Sequence, residues 1–373
     1  MAKFLASVIG VEEADIALLG DADIIDLKNP TDGALGALSP DVVAETVAFV
    51  AGRKPVSAVC GNLPMVPDTV AQAAEKYVGT GVDYLKIGLL PEPQTPACIR
   101  AVAPLAARVK LIAVLFADKE PDFALLPVLA ESGFHGVMLD TAEKGSGGLL
   151  QHLSHDRVSR FVEEGSALGL KVGLAGSLEA PDVPRLLPLQ PDFLGFRSAL
   201  CGTAGREGGI EEEAVKRIRA LIPLEEAANG AAQPDYRLLG CGLAPWPDPG
   251  LGTDKIFVRE FILPVEIGAY SFERGRTQKV RFDVTAEVRR LTNDPQDMRH
   301  VVSYDIIMDG IRTIVARGHV DLAETLAEKV ATHVLSDPRV ERVVVRVEKL
   351  EIAPGSVGVE IERVRTDREA GAR

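Results

Sequence analysis

Ala22-Asp23-Ile24-Ile25-Asp26-Leu27-Lys28-Asn29-Pro30 is a short run of strand-forming apolar residues that closes on two charges and an Asn-Pro break. Strand alternation puts Asp26 and Lys28 on one face and Ile25 and Leu27 on the other. Ile25 and Leu27 suit a helix-packed side, so the charged face looks inward. Charges pointing inward are costly unless they are paired or used. A strand of that kind belongs where a closed parallel sheet opens into a functional pocket.

Outward from this run, strand-like segments alternate with amphipathic ones through the first 222 residues. The expected strands are Phe4–Ile9, Ala22–Lys28, Pro55–Cys60, Asp83–Leu89, Lys110–Phe116, Gly136–Thr141, Lys171–Ser177 and Phe193–Ala199. Helical spacing marks Val11–Leu19, Asp41–Ala51, Asp68–Tyr77, Asp122–Glu131, Arg157–Leu168 and Glu211–Leu221. Repeated strand–helix alternation implies parallel strands joined by right-handed crossovers. Eight such units predict an α/β (β/α)8 TIM barrel; a doubly wound sheet should carry G-x-G-x-x-G after its first strand, and none occurs there.

Barrel chemistry sits where strands end. The fourth strand carries Lys86, the sixth ends on Asp140 with Lys144 shortly after, the seventh ends at Gly176-Ser177, and the eighth carries Arg197. Lys28, Lys86 and Lys144 would thus converge with Asp26 and Asp140. A lysine must lose its proton to attack a carbonyl, and neighbouring ammonium groups with partial desolvation favour that. The carboxylates would move protons. Gly176, Ser177 and the loop after the eighth strand lie where barrels bind phosphate through backbone N–H groups. Singly, each has a plainer reading: a strand-end Lys–Asp pair as a rim salt bridge, Lys144 as a solvated loop residue, Arg197 as the partner of a nearby acid.

Bulk composition agrees with a core-forming protein: 46% hydrophobic and 25% charged residues. A net charge of −13 argues against a general nucleic-acid or anionic-membrane partner. The four cysteines are scattered, without C-x-x-C or metal-ligand spacing, so no metal is expected, and attack by a lysine on a carbonyl calls for no cofactor. No apolar run approaches a membrane span and no secretory signal opens the chain, so the cytoplasm is the expected compartment.

On Ala22–Pro30, Asp83-Tyr84-Leu85-Lys86-Ile87-Gly88-Leu89, Met138-Leu139-Asp140-Thr141-Ala142 and Leu174-Ala175-Gly176-Ser177, the N-terminal part resembles the (5-formylfuran-3-yl)methyl phosphate synthases of methanofuran biosynthesis. The resemblance runs from the first strand to Arg197 and the Gly202-rich loop. It implies condensation of two glyceraldehyde 3-phosphate molecules to a furan aldehyde phosphate, with loss of water and one phosphate. It places the Schiff-base lysine at Lys28 and the proton-accepting lysine at Lys86. Asp26, Asp140 and Lys144 match further active-site positions.

From residue 223 to 253 small, polar, Pro- and Gly-rich sequence reads as a linker between domains 1–222 and 254–373. Beyond it, Ile256–Val265 and Gln278–Val288 alternate as strands, Tyr304–Val315 and Val320–Leu335 read as helices, and Val340–Lys349 and Ser356–Arg365 are strands again. This ββααββ order is α+β. With Ile267-Gly268-Ala269-Tyr270-Ser271-Phe272-Glu273-Arg274-Gly275, Val302-Ser303-Tyr304, Leu322–Glu328 and Val345–Lys349, it resembles dihydroneopterin aldolase and its tunnelling-fold relatives. That resemblance implies Glu324 as the pterin anchor, Lys349 as the proton-transfer lysine, Tyr304 and Glu273 as assistants, a dihydropterin substrate and a homo-oligomer. A carboxylate suits the paired N–H donors of a guanidine-like ring edge. Here Leu350 follows Lys349 where the family often has proline, and the proline stands at Pro354.

The combined expectation is a bifunctional Schiff-base lyase and pterin aldolase. Two alternatives stay open: a barrel enzyme with a non-catalytic pterin-binding or oligomerisation tail, and a generic sugar-phosphate aldolase.

Overall fold

The computed structural model describes residues 2–143, 145–201, 208–222, 251–270, 273–296, 298–353 and 355–365. The chain divides into two compact units, Met1–Ala232 and Gln233–Arg373. The expected linker lies almost wholly outside the described residues; its last residue, Thr253, already pairs as a strand.

The first unit is a closed parallel barrel of β1 (Lys3–Val8), β2 (Ile24–Leu27), β3 (Val56–Val59), β4 (Tyr84–Leu89), β5 (Lys110–Phe116), β6 (Gly136–Asp140), β7 (Lys171–Leu174) and β8 (Phe193–Phe196), with β8 paired back to β1. Its helices are α1 (Val11–Leu19), α2 (Pro40–Val50), α3 (Pro67–Val78), α4 (Thr95–Val102), α5 (Leu125–Glu131), α6 (Leu149–His152), α7 (His155–Ala167), α8 (Val183–Leu186) and α9 (Glu212–Leu221). Local chemistry starts several of them. Ser39 accepts from the Val42 amide with Pro40 at the first helical position of α2, and Ser154 accepts from Arg157 to begin α7.

Three helices, Thr95–Val102, Leu149–His152 and Val183–Leu186, were not expected from sequence. Thr95–Val102 hides among Pro91, Pro93, Pro96 and Pro104, yet Pro96 sits in the first turn, where its missing N–H costs nothing. Val183–Leu186 is a single turn. β7 stops at Leu174 rather than at Ser177, because Gly176 (φ +110°) and Ser177 (φ +50°) leave the strand conformation.

The N-terminal rim of the barrel repeats one device. An aspartate immediately before β2, β4 and β8 accepts a 2.8 Å hydrogen bond from an amide at the start of the preceding strand: Asp23 from Phe4, Asp83 from Val56, Asp192 from Val172. His135 holds the matching place before β6, where its own amide bonds Leu111 O. Three residues beyond these positions lie Asp26, Lys86, Met138 and Gly195, and five beyond lie Lys28, Gly88, Asp140 and Arg197. The even strands thereby supply successive interior layers. Leu5, Ile24, Ile112, Met138 and Phe193 fill the lower barrel, where only a water-sized cavity of about 10 Å³ remains.

The second unit is one antiparallel sheet in the order β12-β11-β10-β9, built from β9 (Thr253–Val265), β10 (Gln278–Arg289), β11 (Val340–Ala353) and β12 (Gly355–Val364). Between β10 and β11 come α10 (Asp305–Ala316) and α11 (Ala323–Leu335), giving the expected ββααββ order. Val280, Phe282, Val284 and Ala286 join Val343, Val345 and Val347 on the buried face, together with Ile307, Ile311, Leu326 and Val330 from the helices. The opposite face is a lattice of cross-strand ion pairs, including Arg342 with Glu287 and Glu362. The helix expected from Val320 begins only at Ala323. Val320 bonds Glu266 O through its N–H and the Gly268 amide through its carbonyl, so its backbone is committed to a strand-like bridge.

Candidate active sites

Asp26 is the best-enclosed charged group among the described residues of the barrel, with 0% exposure. Its strand register sets it between Ser7 and Ser57, whose hydroxyls donate to its two carboxylate oxygens at 3.0 and 2.6 Å. Lys86 Nζ lies 2.5 Å from Asp26 Oδ1. Burial by itself would raise the Asp26 carboxyl; the ammonium groups of Lys86 and Lys28 outweigh it and hold the group below the ordinary carboxylate range.

One layer nearer the C-terminal mouth, Lys28 Nζ stands 3.6 Å from Asp140 Oδ2. The other oxygen of Asp140 accepts from the Thr141 amide at 2.7 Å. The loop that follows is fixed from β5: Asp118 accepts from the amides of Ala142 and Glu143 at 2.7 and 2.8 Å. Beside it, the Gly176 carbonyl accepts from the Leu149 amide, and a side chain at Gly176 would meet Thr141 Cγ2 at 3.0 Å. The structure therefore brings Lys28, Lys86, Asp26 and Asp140 together, with Gly176 and Ser177 adjoining through the β6 and β7 loops. Lys144 and Gly202 lie outside the described residues.

Arg197 is held by an acid of the chain itself. Its guanidinium forms a two-pronged pair with the buried Glu13 of α1 and donates to the carbonyls of Ser7 and Gly208. Glu13 in turn accepts from the Ile9 and Ile210 amides. The pair ties the end of β8 to α1 and, through the Ile9 amide, to the loop leaving β1.

Sequence reasoning missed Ser7, Ser57, Glu13 and Asp118. The two serines had a signal: each is a lone small polar residue at an inward position of an otherwise apolar strand. Glu13 and Asp118 had none, since the Arg197 guanidinium that Glu13 binds and the amides that Asp118 holds lie far along the chain.

The second unit has a cleft of about 450 Å³ whose walls include Tyr270, Glu273, Arg276, Gln278, Glu324 and Lys349. Lys349 comes from β11, and its Nζ lies 3.0 Å from Glu273 Oε1. Glu273 also accepts from the Tyr270 amide at 3.1 Å and Gln278 Nε2 at 3.2 Å. The Tyr270 amide first, and then the Lys349 ammonium, hold its carboxyl down at about 2. Gly268 (φ +140°) is obligatory here, because a Cβ would sit 2.0 Å from the Glu273 carboxyl carbon. Glu324 is exposed in the first turn of α11 on the cleft wall. Tyr304, 58% exposed, precedes α10 and is not among the cleft-lining residues. Tyr270, Arg276 and Gln278 were not singled out from sequence. Tyr270 stood inside a quoted motif, but Arg276 and Gln278 reach the cleft only through the β9–β10 connection.

No group of His, Cys, Asp and Glu among the described residues has the arrangement of a metal site, and no helix among them is long and apolar enough to cross a membrane.

Comparison with known proteins agrees with this division. A family model described as 4-HFC-P synthase matches residues 4–219, and one described as dihydroneopterin aldolase matches residues 256–362. The (5-formylfuran-3-yl)methyl phosphate synthase of Methanosarcina mazei is 36% identical over 230 residues, 58% of this chain and 98% of that protein. The enzyme of the same name from Methanopyrus kandleri is 36% identical over 233 residues, 59% of this chain and 98% of that one. Among solved structures, dihydroneopterin aldolase from Burkholderia thailendensis bound to guanine is 31% identical, covering 32% of this chain and 97% of its own, with a TM-score of 0.29. By the match over more than half its length, the chain belongs to the 4-HFC-P synthase family, and it carries in addition a dihydroneopterin aldolase domain.

Proposed function

We propose that the barrel condenses two molecules of glyceraldehyde 3-phosphate into (5-formylfuran-3-yl)methyl phosphate, with Lys28 forming the Schiff base. The observation that carries this reading is the pairing of two enclosed lysines with two carboxylates at the C-terminal mouth of the barrel. Attack of the Lys28 amine on the aldehyde forms a C–N bond and releases water; Asp140, its neighbour at 3.6 Å, is placed to take the ammonium proton. Lys86 then moves the proton from the carbon next to the imine, with Asp26 orienting it. The enamine carbon so formed attacks the aldehyde carbon of the second molecule, making the C–C bond; loss of phosphate, dehydration and hydrolysis of the imine then close the furan and free Lys28. Gly176, Ser177 and the loop containing Gly202 are the proposed phosphate contacts, and Lys144 a further phosphate or proton-transfer group.

In the second unit the same reading gives retro-aldol cleavage of a dihydropterin. Glu324 accepts from the ring's paired N–H groups, and Lys349, held by Glu273, transfers the proton. Because Tyr304 is not on the wall of the cleft, its part in catalysis requires a second copy of the chain, and we take the protein to be a homo-oligomer. The alternative is a cleft that binds a pterin without cleaving it. Cytoplasmic action is consistent with the free thiols of Cys60 and Cys98.

Incubation with glyceraldehyde 3-phosphate followed by borohydride tests the barrel. The expected result is a reduced adduct on the peptide containing Lys28, and furan phosphate when reductant is omitted. No adduct and no furan sinks the reading.

A further inference from the structure

The lysine side chains used by that mechanism are barely open to solvent: 7% exposed for Lys28 and 5% for Lys86. Most of the space around each ammonium group is therefore filled by the chain itself. Part of what closes the mouth is the connection from β2 to α2, residues 29–39. Its middle turns inward: Ala34 and Leu35 are each 2% exposed and join the barrel's interior cluster with Val59, Val114 and Phe116.

Leu35 occupies a place that the barrel leaves vacant. Gly88 is the inner-face residue of β4 one layer above Lys86, at the level of Lys28 and Asp140. A methyl group there would lie 2.2 Å from Leu35 Cδ1 and 3.2 Å from the Phe116 ring. The interior layer is thus completed by a side chain borrowed from a loop instead of one fixed to a strand. The loop is braced within itself, where the Asn29 amide bonds Gly36 O at 2.7 Å and the Asn29 side chain accepts from Thr31, and at its two flanks, where Asn62 donates to Asp32 O and Tyr77 to Leu38 O. Gly33, at φ +87°, supplies the left-handed turn that aims Leu35 into the mouth.

We propose that Leu35 is a displaceable plug and a specificity-determining residue of the barrel. It leaves the space beside Gly88 to admit a triose phosphate, then returns with its loop against the bound carbon chain and excludes water from the imine. The inference rests on the Schiff-base reading of Lys28.

The test is the rate at which glyceraldehyde 3-phosphate is trapped on Lys28 by borohydride, followed by peptide mass in the full chain. Leu35→Ala should speed trapping about tenfold while lowering kcat for the furan, since access improves and protection of the imine is lost. Gly88→Ala, which puts a methyl into the space the substrate needs, should not speed trapping; Leu35→Met should restore both rates. Trapping unchanged in a folded Leu35→Ala variant overturns the proposal. Without any variant, amide exchange at Leu35–Ala37 should slow about tenfold once the reduced adduct is in place; exchange indifferent to the adduct also overturns it. If the unmodified protein and both alanine variants form no adduct at Lys28, the Schiff-base reading itself has failed and this inference falls with it.

Discussion

The barrel mouth and the cleft of the second unit both set a lysine against a carboxylate, yet they solvate the pair differently. In the barrel, Asp26 is wholly enclosed and Lys86 nearly so, and two serines complete the carboxylate's hydrogen bonding. In the second unit, Lys349 and Glu273 stand on the wall of a cleft of about 450 Å³, with Glu324 exposed beside them. An enclosed pair is electrostatically strong and must be uncovered before it can react. A pair on an open wall is ready to meet substrate, but water competes for it. The barrel's constellation is complete within one chain apart from the residues not described, whereas Tyr304 stands off the cleft.

The contrast can be broken most severely at Lys28. Lys28→Ala should abolish furan formation and adduct trapping while leaving pterin turnover intact, as measured by separate product assays. Loss of both activities would show that the two sites are not independent. Lys86→Ala should retain trapping at Lys28 but slow furan formation by roughly 10² to 10⁴, the usual range for a general acid–base group.

Asp26→Asn sharpens the difference in burial. Leaving the Lys86 ammonium enclosed without its partner should cost the barrel about 3–5 kcal/mol in denaturant unfolding. Lys349→Ala should abolish pterin cleavage and cost the second unit less than Asp26→Asn costs the barrel, because Glu273 keeps its bonds from the Tyr270 amide and Gln278. Equal losses in the two variants would overturn the comparison.

The smallest effect is expected from acid. Glu273 titrates at about 2 in the folded protein, below its ordinary 4.5. Its stabilising effect is therefore full above about 4.5 and is lost as the pH falls toward 2. A Glu273→Gln variant should show a flatter melting temperature across that interval than the unmodified protein.

Much of this was legible beforehand. Alternation around Asp26 and Lys28 identified the inner face of β2, and Lys86 among Tyr84, Leu85 and Ile87 announced its own burial. The strands and most helices followed from the spacing of apolar residues. What escaped was of two kinds. The proline-rich Thr95–Val102 helix defeated composition, because the position of Pro96 in the first turn matters more than its presence. Glu13, Asp118 and Leu35 escaped because their partners are Arg197, the amides of Ala142 and Glu143, and the gap at Gly88, all far along the chain or in another loop.

The sequence by itself determined the (β/α)8 and ββααββ architectures, the inward set of the barrel lysines and aspartates, and the resemblance that names both units. These depend on local periodicity and on motifs within single strands. Only the tertiary structure decided that Lys86 pairs with Asp26 while Lys28 pairs with Asp140, that Arg197 is engaged by Glu13, and that Leu35 stands over Gly88. The reason is geometric. Alternation says which face a side chain takes, but its partner is fixed by strand register around a closed barrel and by loops that fold back over its mouth.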